Sequence, residues 1–498
     1  MLEICKQLFK CWNENNVSYC HWKSNEHLME GLDGDTDLDV YVSQADKEKA
    51  EKYLVACNYK ECIIQKGHRY PNVVEWIGFD ESTGRLIHVH LHYQVITGTR
   101  YCKEYVFPID NVIIDTRLRN EETGVYVTNP DLEIIILFCR IALKAKNHRD
   151  IHPDSDDLKE IKYLKDRIAL KNVQSLCQNL MEDNGCFFFN LISKDLLSCD
   201  EWQTVYKIAS KWLKPYRKYS RLTVFLRHKF YSLRALFIIG LRKLFDIKLV
   251  NKKTFGAQGI SICFLGQDGS GKSTVTIDLC KWLNWKIEAS RFYLGSGDHY
   301  NGLLKRIMSR RGESKRETTI QNNKGNNPDT SLKRKKTLKS FLCSVFVCLY
   351  SLNLSRRAYS VMKKANDYCN RGGIALFDRF PQMQFEGISD GPRIANYYKK
   401  NGLDFAINKL MAKMEYKYFY KIQQMQPSIV FKLMLSPEES IRRKPFENLE
   451  NVKEKHEITK ALLFPNSEVY EVDATQDYQE ELIYIKKIIW KKMLSMRK

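Results

Sequence analysis

No C-x-x-C pair occurs among the 15 cysteines, which are odd in number and scattered through the 498 residues. That absence excludes a readable zinc ribbon or thioredoxin-type motif and leaves reduced thiols of a reducing compartment as the expectation. Long apolar runs are also missing. The longest, Phe341–Leu354, contains Ser and Asn. At about 14 residues it suits a buried helix better than a membrane span. The opening MLEICKQLFKCWNENN alternates apolar and polar residues at helical spacing and lacks the uninterrupted apolar core of a signal peptide. These features predict a cytoplasmic protein. No recognised nucleic-acid module accompanies the basic charge, so nucleic acid is not the expected partner.

What is present is ample for several globular cores: 44% hydrophobic and 12% aromatic residues over a length too great for one domain. The net charge of +21 is unevenly placed, because residues 1–130 hold 14 basic and 20 acidic side chains. The positive charge therefore belongs to the middle and C-terminal regions and suits an anionic partner of some kind.

Composition and periodicity divide the chain into an α+β region at 1–125, a helical region at 126–248, a linker at 249–258 and an α/β region at 259–498. Strands are expected at Leu38–Val42, Asn72–Ile77 and Leu86–Val95, and again at Ile260–Leu265, Gly373–Phe377 and Ser428–Met434. A basic insertion at 305–339 lacks apolar periodicity and reads as a solvated excursion or as a grip on an anionic substrate. The stretch 211–248 interleaves Lys and Arg with Phe, Leu, Ile, Tyr and Trp. It is expected to be a bridging helix with a solvated charged face; contact with an anionic membrane surface is the second reading.

The chemistry begins at Gly266-Gln267-Asp268-Gly269-Ser270-Gly271-Lys272-Ser273-Thr274, which follows an apolar strand and opens a helix. Glycines at that spacing let backbone N–H groups turn onto a β-phosphate, and the helix N-terminus adds a positive dipole. Lys272 would bridge the β- and γ-phosphates, and the Ser273 hydroxyl would join a Mg²⁺ shell, so ATP and Mg²⁺ are the expected cofactors. Asp378-Arg379 follows the next buried strand, offering a carboxylate to the metal and a guanidinium to an acceptor phosphate. Ser436-Pro437-Glu438-Glu439 opens a helix carrying Arg442 and Arg443 towards a charged segment, Pro445–Glu457, expected to be a mobile lid.

The region from about Gly259 to Met496 resembles the thymidylate kinase-like nucleoside monophosphate kinases, through FLGQDGSGKST, SRRAYSVMKKANDYCNRGGIALFDRF, MLSPEESIRRK and EVDATQDYQEELI in that order. The resemblance implies a parallel-sheet P-loop kinase moving the γ-phosphoryl of ATP to a small, phosphorylated acceptor. It implies donor contacts at the phosphate loop and at Ala474, Thr475 and Gln476. It further implies acceptor contacts at Asp268, Arg357 and Arg379, lid arginines at Arg442 and Arg443, and a homodimer. PQMQFEGISDGPR replaces the family's stretch after D-R-Y, and Arg356 stands where an acidic residue is usual, so the acceptor stays open between dTMP, another nucleotide and a sugar.

Near the N-terminus, HWKSNEHLMEGLDGDTDLDVYV resembles the opening of nucleotidyltransferase-fold proteins, with Lys23-Ser24 a dozen residues before Asp37 and Asp39. Carboxylates two apart on a strand share a face and can share divalent ions. His88, His90 and His92 alternate with Ile87, Val89 and Leu91 on a later strand, with His90 where a third carboxylate belongs. A half-exposed face of ordinary histidines is the simpler expectation for them. The whole reads as a P-loop kinase fused to a nucleotidyltransferase-like domain; alternatives are a nucleotide-sensing regulator or defence module, and a kinase acting in surface polysaccharide synthesis.

Overall fold

The computed structural model of the chain describes residues 1–65, 67–145, 150–245, 248–294, 338–401, 403, 405–445 and 448–497. Residues 305–337 of the expected basic insertion lie outside these. The chain divides into two units, one of Met1–Gly256 with Ile483–Lys498, the other of Ala257–Leu482.

The first unit is built on strands β1 (Tyr19–His21), β2 (Leu38–Val42), β3 (Lys60–Glu61), β4 (Val73–Phe79), β5 (Leu86–His92), β6 (Ile96–Thr97), β7 (Tyr105–Val106), β8 (Leu118–Arg119) and β9 (Tyr126–Val127). Seven form a mixed sheet in the order β3-β4-β5-β2-β1-β9-β8, and β6 pairs with β7. β2 lies parallel to β5, whereas β4 and β5 are antiparallel. Ile87, Val89 and Leu91 of β5 join Leu8, Phe9 and Trp12 of the helix Glu3–Glu14 in one core. The alternation sends the three histidines to the opposite face.

The helical region packs on the sheet: one core cluster runs from Cys20, Trp22 and Tyr41 into the helices. At its centre the helix Pro130–Lys144 is buried from Asp131 to Leu143 and apolar nearly all round, as an enclosed helix requires. Asn129 caps it by accepting from Asp131 N, and Pro130 occupies the first turn, where its missing N–H costs nothing. The expected end of the kinase region is revised. Trp490 packs edge-on against Phe255 and tilted against Phe79, and Lys60 donates to the Leu494 and Met496 carbonyls. Those contacts place Ile483–Lys498 with the first unit.

The helix Arg221–Phe245 has no acidic residue. Its outer face is not charged alone, as was expected: Arg221 and Lys229 are exposed beside an apolar arc. Leu222, Phe225, Leu226, Phe230, Leu233, Leu236 and Phe237 are 56–67% exposed, while Arg227, His228, Tyr231 and Arg234 are only partly accessible. No helix among the described residues is long and apolar enough to cross a membrane.

The second unit carries β10 (Ser261–Leu265), β11 (Ala289–Phe292), β12 (Ile374–Phe377), β13 (Ile429–Met434) and β14 (Glu468–Asp473). All pair in parallel, in the order β11-β12-β10-β13-β14. The continuous apolar runs of β10 and β12 are those of strands covered on both faces. The C-terminal ends of β10, β12, β13 and β14 deliver, in turn, Gly266, Asp378, Leu435 and Ala474 to one edge of the sheet, where open α/β sheets bind ligands.

The run Phe341–Leu354 lies within the helix Leu338–Cys369 and is not buried as expected. Ser344, Cys348, Ser351 and Ser355 turn inward, whereas Leu342, Phe346 and Leu349 are exposed. Inward contacts fall on the helix Ala406–Gln423, where Asn408 donates to Ser344 and Ser355 donates to Glu415. Those small polar residues on the buried stripe weaken its contrast with the outer face. Within the expected lid, residues 446 and 447 lie outside the described residues, and Leu449–Ala461 is a helix whose Asn448 side chain accepts from Glu450 N and Asn451 N.

Candidate functional site

The loop after β10 takes its shape from glycine. A Cβ on Gly266 (φ +153°) would stand 2.5 Å from Ser270 Oγ and 2.7 Å from the Leu433 carbonyl. Gly271 (φ +89°) caps the helix Lys272–Asn284 in the left-handed region, with nothing within 4 Å of an added Cβ. The N-terminus of a thirteen-residue helix thus opens into free space, ready for an anion.

Lys272 spans this loop, its Nζ donating to the carbonyls of Gly266 and Gln267 at 2.8 Å each. Burial pulls its pKa down to about 8, against the opposing effect of Asp268. Asp268 is pinned by Lys455 from the helix Leu449–Ala461. Burial alone would raise its carboxyl, but the Lys455 hydrogen bond and charge hold it below the usual range. Ser440 Oγ donates to the Asp268 carbonyl, so the helix Pro437–Arg443 also braces the loop.

Ser273 Oγ lies 3.5 Å from Asp378 Oδ2. Asp378 is buried, and its Oδ1 has no hydrogen-bond partner among the described residues, as is true of Ser270 Oγ. An orphaned carboxylate oxygen beside a hydroxyl is an oxygen-only donor set, which fits Mg²⁺. Next to it, Arg379 reaches Asp390, which also faces Arg393.

Of the expected cations, Arg443 sits against the loop, with NH1 3.5 Å from the Gly269 carbonyl and NH2 donating to the Ala474 carbonyl at 3.1 Å. Arg442 is 79% exposed and pairs with Glu439. Ser436 caps the helix, but the Glu439 carboxylate turns to Arg442 and Arg443. At the end of β14, Ala474 is buried, and Thr475 donates through N and Oγ1 to Asp473; Thr475 and Gln476 are exposed. Thr274, on the first turn of the loop helix, is exposed as well.

Two adjoining cavities share Asp390 and Arg393. One, of about 270 Å³, is lined by Gly266, Asp268, Lys272, Asp378, Arg379 and Lys455. The other, of about 80 Å³, is lined by Tyr293, Ser351, Ser355, Arg357, Glu415 and Phe419. Burial raises the Glu415 carboxyl, although it accepts from the backbone N–H groups of Arg393 and Ile394. Lys455, Asp390, Arg393 and Glu415 line these cavities and were not singled out by sequence reasoning. The pattern S-D-G-P-R around Asp390 was the available signal; Lys455 lies in the charged segment expected to be a mobile lid.

In the first unit, Asp39 is central. Lys23 Nζ is 3.0 Å from its Oδ2, and His90 Nδ1 and His92 Nε2 are each 3.3 Å from its Oδ1. Burial would raise this carboxyl, but Lys23 and the two imidazoles hold it well below the usual range. Asp37 meets His88 Nδ1 at 2.8 Å. The histidine face is not the half-exposed surface expected: His88 and His92 are fully buried, and His90 is 23% exposed. Ser24 has a left-handed backbone (φ +54°), held by donation from its N–H to Glu160, while Asn25 donates twice to Glu133. Four cations crowd here. Burial and Lys23 bring Lys103 down to about 8, and Arg140 leads the causes that depress Lys144.

No family model matches the chain. Its C-terminal half is similar to the uncharacterized ATP-binding protein YghR of Escherichia coli (strain K12), 27% identical over 233 residues, which are 46% of this chain and 86% of that protein. It is likewise 26% identical over 226 residues to the uncharacterized ATP-binding protein YghS of the same strain, 44% of this chain and 88% of that protein. Among solved structures, deoxyadenosine kinase from M. mycoides with bound dATP matches 46% of this chain and 99% of its own, at 14% identity and a TM-score of 0.26.

Proposed function

We propose that the Ala257–Leu482 unit is a thymidylate kinase-like phosphotransferase, moving the γ-phosphoryl group of ATP to a nucleoside monophosphate or related small acceptor. The observation that carries this reading is the pair of adjoining cavities, one at the phosphate loop and one beyond Asp390. Similarity to two proteins named as ATP-binding supports ATP as donor. Lys272 binds the transferring phosphate, and the backbone N–H groups of the loop orient its neighbour. Ser273 and Asp378 would hold Mg²⁺, which when bound supplies charge neutralisation on the phosphates. Arg393, which lines both cavities, and Arg379, which reaches the shared Asp390, restrain an anionic acceptor there. The bond from the γ-phosphorus to the β–γ bridging oxygen breaks as an acceptor oxygen bonds to that phosphorus. Incubating the full chain with γ-labelled ATP and a panel of nucleotides and sugars tests this. Label on an acceptor supports it; hydrolysis independent of any acceptor favours a nucleotide-sensing regulator instead.

For the first unit we infer a nucleotidyltransferase-like domain in which Asp37 and Asp39 hold divalent metal. Support comes from the Lys23–Asp39 pair and from the cations Lys103, Arg140 and Lys144, whose mutual repulsion suits a polyphosphate. Joint substitution of Asp37 and Asp39 by Asn should abolish transfer of α-labelled nucleotide to any acceptor.

The helix Arg221–Phe245 is proposed to lie on an anionic membrane surface. Its apolar arc faces outward, and its only charges are basic, so a second copy of the same helix would bring like charges together.

A further inference from the structure

The stretch Asp150-Ile151-His152-Pro153-Asp154 leads into the helix Ser155–Lys165 of the first unit. Ile151 is buried and joins Trp202 and Val205 of the helix Cys199–Trp212 in one core. In an extended stretch residues two apart share a face, so burying Ile151 turns Asp150 and His152 outward together. Pro153 restricts His152 to extended backbone, and Asp154 caps the next helix by accepting from Asp156 N and Asp157 N. The stretch is therefore held at its centre and at its end. Beside it stands Cys199, the first residue of its helix. Asp150 Oδ1 accepts from His152 Nε2 at 2.7 Å and from Cys199 Sγ at 3.8 Å. One oxygen, one nitrogen and one sulfur thus converge, all within 4.8 Å of one another.

We propose that Asp150 Oδ1, His152 Nε2 and Cys199 Sγ bind one transition-metal ion of the Zn²⁺ class, which joins the Asp150–Pro153 stretch to the helix Cys199–Trp212. Each residue offers a single donor atom. Tetrahedral bonds of about 2.0–2.2 Å to nitrogen and oxygen and about 2.3 Å to sulfur set the donors about 3.3–3.6 Å apart. The sulfur–oxygen separation of 3.8 Å is already close to that spacing. The oxygen–nitrogen pair has to open slightly, and Asp150 and His152, 62% and 71% exposed, are free of packing that would resist it. Sulfur and imidazole select zinc, cobalt and nickel over Mg²⁺ and Ca²⁺, which take oxygen. Entry of the ion releases the thiol proton to solvent and leaves the imidazole proton on Nδ1. Gln203, one turn along the helix, donates through Nε2 to the same sulfur at 3.9 Å, an outer contact of the kind that steadies a metal ligand. With three protein ligands, the fourth position is left to water. None of these residues belongs to the phosphate-loop cavities or to the Asp37–Asp39 pair, so the assignment stands apart from phosphoryl and nucleotidyl transfer.

The full chain, stripped with chelator under a reductant that does not bind metal, is titrated with Co²⁺. A near-ultraviolet thiolate-to-cobalt charge-transfer band should grow to saturation at one equivalent and disappear when Zn²⁺ is added. Such a band requires a sulfur ligand, so imidazole and carboxylate groups elsewhere do not imitate it. Cys199→Ser should abolish it. His152→Ala should weaken Co²⁺ binding, read from the same band, by about 100-fold or more, and Asp150→Asn provides an independent second variant with the same direction of change. Circular dichroism establishes that the variants are folded. Cys186→Ser, at an exposed cysteine, should keep the band. The absence of a band in the wild type would overturn the proposal. So would a band that survives Cys199→Ser or is lost in Cys186→Ser, or a Co²⁺ affinity unchanged in His152→Ala.

Discussion

Ser273 Oγ stands 3.5 Å from Asp378 Oδ2, joining the first turn of the loop helix to the end of β12. If both side chains serve one Mg²⁺, their effects are not additive. Asp378→Asn is expected to lower the phosphotransfer rate by about 10²–10³-fold. Adding Ser273→Ala to it should cost little more. Steady-state kinetics on the two single variants and the double variant at saturating ATP check this.

Lys272 gives a pH signature. In the free protein burial leads the causes that hold its pKa near 8, below the ordinary lysine value of 10.5. The ammonium form therefore predominates below that pH and is lost above it. Phosphate binding favours the charged form and raises the pKa, so ATP binding near pH 8 takes up protons. Calorimetry in buffers of different ionisation enthalpy should show this uptake, and Lys272→Met should lack it.

Arg442 and Arg443 are adjacent in sequence but not equivalent in space. Arg443 bridges the Gly269 and Ala474 carbonyls, whereas Arg442 is exposed. Arg443→Ala should raise KM for ATP by about 10-fold with a smaller change in kcat, the pattern of lost uniform binding. Arg442→Ala should leave KM for ATP near its original value.

The phosphate-loop side of the proposed site was legible because its signals are local. Gly266–Thr274 sits between an apolar strand and a helix, and Asp378 directly follows β12, so contiguous residues define both positions. The smaller cavity, the proposed acceptor side, was less legible because Arg357, Asp390, Arg393 and Glu415 come from separate segments that tertiary packing brings together. Lys455 was hidden for another reason: its charged segment has weak apolar contrast, yet Asn448 caps a helix there. The histidine strand was read correctly for its alternation, but not for its burial. Its environment depends on Glu75 and Asp39 from neighbouring strands, and register across a sheet is not written in one strand.

Arg357 and Glu415 line the smaller cavity, away from the phosphate loop. Arg357→Ala is expected to raise KM for the acceptor by about 10-fold or more while leaving KM for ATP unchanged. Initial rates measured with each substrate varied in turn separate the two constants.

The outward apolar arc of Arg221–Phe245 predicts binding to vesicles containing anionic lipid, weakened by salt. Phe230→Glu with Leu233→Glu should abolish it without changing phosphotransfer. Co-sedimentation with anionic and with neutral vesicles is the measurement.

The central claim rests on Lys272 and is tested most directly by following label from γ-labelled ATP in the wild-type chain and in Lys272→Ala. The account predicts transfer to a small acceptor by the wild type and almost none by the variant. Transfer undiminished in Lys272→Ala, or release of inorganic phosphate alone from the wild type with every acceptor, would contradict it.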